Sequence, residues 1–79
     1  MQVGSKARQI EVFITNVHHM KDAMHILRLL KSLFPTAIAN FDLEDCEKVL
    51  RIEDRVIQVN QILELVHAEG FLIKIMEEG

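Results

Sequence analysis

Cysteine is nearly absent from this chain: Cys46 stands alone, so no internal disulfide can form. No apolar run is long enough for a signal peptide or a membrane span. Together these two shortages lead us to expect a cytoplasmic, reducing location. Basic clusters are missing as well. Nine Lys and Arg are scattered among twelve Asp and Glu, giving a net charge of -3 and a pI near 5.7. Nucleic acid and anionic membranes call for a concentrated basic footprint, so neither is an expected partner. Glycine occurs only at Gly4, Gly70 and Gly79, which excludes a glycine-rich phosphate loop. Trp and Tyr do not occur, and the aromatics are four Phe. Ser5 and Ser32 fall in a polar tail and an apolar-patterned helix, with no base placed beside either, so no enzymatic activity is expected.

What the chain does have is apolar pattern. Hydrophobic residues make up 49% of 79 residues, enough for one small core. We read a polar, frayed N-terminus over 1–8 and a single domain over 9–77. The run IEVFIT alternates, with Ile10, Val12 and Ile14 on one face and Glu11, Phe13 and Thr15 on the other, as a strand does. After the loop TNVHHMKD, the residues Ala23, Ile26, Leu27, Leu30, Leu33 and Phe34 recur at helical spacing. Pro35 ends that helix because it has no N–H and disfavours helical geometry in its predecessor.

TAIANFDL has the apolar character and length of a strand, and CEKVLRIED reads as a returning strand beyond a polar Glu44-Asp45 turn, so the two predict a hairpin. Phe41, Leu43, Leu50 and Ile52 are expected inward, and Asn40, Asp42, Val49 and Arg51 outward. Val59, Ile62, Leu63 and Val66 then return to the helical period, and Gly70 sits where a left-handed helix C-terminus takes glycine. FLIKIM makes the last strand. The prediction is strands near 9–15, 36–43, 47–53 and 71–76, with helices near 20–34 and 58–69. This βαββαβ order implies an α+β, ferredoxin-like sandwich: a four-stranded antiparallel sheet with both helices on one face.

That element order, the apolar stripe of the first helix, the Gly70-Phe71 pair and the loop before the helix together resemble the heavy-metal-associated (HMA) domain of copper chaperones and metal-transporting ATPases. The resemblance spans roughly Ile10 to Met76. The stretch FDLEDCEKVLRI also looks like small bacterial proteins that keep this fold without its cysteine pair. In the family the loop reads Met-x-Cys-x-x-Cys, and two thiolates clamp a soft ion such as Cu(I). Alignment on the helix stripe sets His18 at the methionine position, Met20 at the first cysteine and Ala23 at the second. The resemblance thus implies the fold and the place of a site, while both thiolates are missing.

Two candidate sites follow. In a βαββαβ fold the end of the first strand, the hairpin and the turn before the last strand lie at one end of the sheet. His18, His19, Met20 and Cys46 are expected there, with His67 nearby, as a set for weak binding of Cu(I) or Zn. Solvated histidines and a cysteine that merely packs are the plainer reading. The second candidate is the sheet face away from the helices. Phe13, Val49, Leu72 and Met76 are expected to form an apolar strip there, bordered by Glu11, Arg51 and Lys74, for a homodimer or a protein partner. Three functions are therefore open: weak metal binding or delivery, a non-metal interaction module, and ligand sensing of the amino-acid-binding regulator type. The third has least support, since such regulators use glycine-rich loops at a dimer interface.

Overall fold

The computed structural model describes residues 8–77. Its elements run β1 (Gln9–Thr15), α1 (Met20–Leu33), β2 (Ile38–Asp42), β3 (Val49–Asp54), α2 (Val59–Ala68) and β4 (Ile73–Ile75). The four strands form one antiparallel sheet in the order β2-β3-β1-β4, which is the α+β, ferredoxin-like fold. The expected tail over 1–8 lies, except for Arg8, outside the described residues. Arg8 is held in place, its Nε donating to Glu53 Oε2 at 2.8 Å.

Local chemistry explains where the elements stop. Asp22 in the first turn of α1 and Lys31 in its last complement the helix dipole. The Phe34 N–H still bonds to the Leu30 carbonyl at 2.7 Å, but Phe34 itself has left helical geometry (φ -130, ψ 74), as the residue before a proline tends to. Gly70 takes φ 92 just beyond α2, the left-handed position that glycine fills without strain. Strands β2 and β4 are shorter than the sequence implies, and β3 begins at Val49 rather than 47. For the facing ends of β2 and β3 the reason lies in the hairpin. Lys48 takes φ 49, and its N–H bonds to the Asp45 carbonyl, so residues 43–47 are spent on turns and not on pairing.

The register sets the two faces. Phe13 pairs with Leu50 on one side and Ile75 on the other, and Leu50 pairs with Phe41. Residues directly opposite in antiparallel strands share a face. This row looks toward the helices. Phe13 and Leu50 are fully buried, as are Val17, Ile26, Leu30, Ile62 and Val66, and together they form the core. Leu33, expected in the helix stripe, is instead 59% exposed.

Candidate functional site

The end of β1 is tied to both neighbouring loops by hydrogen bonds. The Thr15 hydroxyl donates to the Lys48 carbonyl at 2.6 Å and accepts from the buried Val17 N–H at 3.1 Å. Asn16 reaches the turn before β4: its N–H donates to the Leu72 carbonyl at 3.3 Å, and its Oδ1 accepts the Leu72 N–H at 2.8 Å. The three loops therefore meet at one end of the sheet. The ligand set does not close there. His18, His19, Met20, Cys46 and His67 are all exposed, and among the described residues no group of three or more His, Cys, Asp or Glu is placed to hold a metal ion. Met20 lines a shallow hollow with Phe41, Asp42 and Leu43, beside the start of the hairpin. Ala23, at the second thiolate position of the resemblance, is buried in the core.

The fourth histidine has no role in the sequence pattern. His25 on α1 meets Glu69 beyond α2, Nε2 to Oε1 at 2.9 Å, and so joins the two helices. Four-residue spacing links side chains along one helix, so this contact between helices left no sequence signal.

The open face differs from its expected composition in one decisive way. Phe13 is not on it; its side chain is fully buried beneath the helices, and Glu11 shares that side by alternation. The reason is pairing. Phe13 lies opposite Leu50, whose inward side the hairpin pattern had already set, so β1 turns Val12 and Ile14 outward instead. Val49, Leu72 and Met76 do lie on the open side. Val49 pairs with Ile14, and the Met76 N–H bonds to the Val12 carbonyl, continuing the β1–β4 register. Val49 is 3% exposed yet stands outside the core cluster.

Two cross-sheet rows make up this face. One reads Asp42, Val49, Ile14, Lys74, and the next reads Asn40, Arg51, Val12, Met76. Ile38, Glu53 and Ile10 start a third, in which Ile38 and Ile10 are 55% and 58% exposed. Leu72, 68% exposed, flanks the first row. The missed residues Ile10, Val12 and Ile14 left no local signal, because β1 is apolar on both sides and only its register against β3 sets Val12 and Ile14 beside Arg51 and Val49.

The fold and the face together define a small ferredoxin-like domain in which, among the described residues, both helices lie on one side of the sheet. No family model, curated protein or solved structure matches the chain. No helix among the described residues is long and apolar enough to cross a membrane.

Proposed function

We propose that this chain is a non-enzymatic self-association module, and that a second copy covers the open face of its sheet. One observation carries the reading: Ile10, Val12, Ile14, Ile38, Leu72 and Met76 share the sheet face opposite the buried Phe13–Leu50 row, around the enclosed Val49. Contiguous apolar surface of this kind marks an interface more often than scattered exposure does. The occupant is argued from charge. Arg8, Arg51 and Lys74 are interleaved with Asp42 and Glu53 on this side, so the face complements itself, whereas a partner of one charge sign would call for a surface of the other. The HMA-like features fit this reading as a scaffold kept without its thiolates.

The size of the face sets the strength of pairing. The strands, of 7, 5, 6 and 3 residues at about 3.3 Å per residue and about 4.8 Å apart, present about 330 Å² in projection. That is under half of the ~800 Å² per partner in a standard interface, so the pair forms reversibly at micromolar to millimolar concentration. In sedimentation equilibrium the wild type is expected to rise with concentration from 9.1 kDa toward twice that mass. Ile14→Glu is expected to stay at the monomer mass with unchanged far-UV circular dichroism. A wild type that remains monomeric at millimolar concentration would sink the proposal.

A further inference from the structure

We infer that the two copies are related by a two-fold axis running along the strands, between β3 and β1, and that Lys74 of each copy pairs with Asp42 of the other. The inference rests on the reading of the open face as a self-association surface, and it adds the symmetry and the residues that select it.

The first cross-sheet row holds the argument. Asp42 stands at the β2 edge and Lys74 at the β4 edge, with Val49 and Ile14 between them. Among the described residues neither charge makes an ion pair within the chain; the pairs formed are Arg8–Glu53 and His25–Glu69. They cannot meet inside one copy, since three strand spacings separate them by about 14 Å. Glu53 is already matched by Arg8, which leaves Arg51 in the middle row and, at the two ends of the first row, two charges of opposite sign without an ion pair: Lys74, and Asp42, whose Oδ1 accepts only the Glu44 N–H at 3.2 Å.

A closed dimer is isologous, so the axis must bring the face onto itself. Two orientations of an axis lying in the interface follow the sheet. An axis across the strands and through the middle row reverses each strand upon its own copy, stacking Arg51 on Arg51 and setting Glu53 over Val49. Like charges placed together in this way are repulsive. An axis along the strands keeps each row level and exchanges its ends. Val49 then meets Ile14 at the centre, the Arg51 stem lies over Val12, and Lys74 meets Asp42 at both edges. Face-to-face sheets pack about 10 Å apart with their strands within about 30° of alignment, a gap that a lysine stem and an aspartate span between them. The second arrangement covers the partly exposed Ile14 and Val12 and matches the two charges at the ends of the first row.

The charges are tested by exchange, with sedimentation equilibrium as the readout and far-UV circular dichroism to confirm folding. Lys74→Asp alone and Asp42→Lys alone each set like charges together at both edges, and each is expected to weaken dimerisation at least tenfold. Mixing the two single variants restores pairing, because each altered side chain then faces an opposite charge in the other chain, and the heterodimer forms at the wild-type concentration. The double variant K74D/D42K is likewise expected to dimerise as the wild type does. Single variants that dimerise normally, or a mixture that stays monomeric, overturn the strand-parallel axis. If Ile14→Glu still dissociates the pair in that case, the open face stands as the interface and only the symmetry is wrong. If Ile14→Glu leaves the dimer intact, or the wild type never dimerises, both readings fall.

Discussion

Phe13 and Ile14 are adjacent in β1 and answer to different neighbours. Phe13 is fully buried against the helices, while Ile14 is partly exposed on the opposite side beside Val49 and Lys74. Their substitutions therefore separate folding from association. Phe13→Ala removes a buried ring from a closed core and is expected to cost about 3–5 kcal/mol, read as a lower urea midpoint with little change in slope. Ile14→Glu, on a partly exposed strand position, is expected to change stability by about 1 kcal/mol while abolishing the concentration-dependent mass. Equal losses of stability from the two would place Ile14 in the core and remove the distinction of faces. Alternation showed that these residues point opposite ways. It did not show which way the helices lay, because β1 is apolar on both sides and only Leu50 across the ladder decides.

At the scale of elements, the boundaries follow punctuation that is visible in the chain. The α1 helix ends ahead of Pro35, and α2 ends ahead of Gly70, where φ is 92 and the space a Cβ would occupy has no atom within 4 Å. Since nothing obstructs a side chain there, Gly70→Ala meets only the conformational penalty of the left-handed region. A loss of about 1 kcal/mol is expected in chemical denaturation. A loss above about 3 kcal/mol would mean that the turn into β4 depends on more than backbone conformation. The hairpin boundary was less legible. CEKVLRIED reads as one returning strand, but turn formation through Asp45 and Lys48 takes the first part of it, and the ladder opens only at Val49. Local turn chemistry competes with strand pattern, and sequence periodicity alone does not rank the two.

For the whole molecule, hydrogen bonds from Thr15 and Asn16 gather the three loops at one end without assembling a metal-binding group among the described residues. Titration with Cu(I) or Zn under reducing conditions is therefore expected to give the same weak isotherm for wild type, Cys46→Ser and His18→Ala. Tight one-to-one binding lost in either variant would restore the loop cluster as a site. The sequence by itself determined the order of elements, the loops that meet, and the inward sides of the hairpin and both helices, because hydrophobic period and turn residues act locally. Only the tertiary structure decided which side of β1 faces the helices, that Leu33 lies outside the core, and that Lys74 and Asp42 end a single row. Those facts depend on register between strands distant in the chain, and on how two helices settle on the sheet, so no local pattern encodes them.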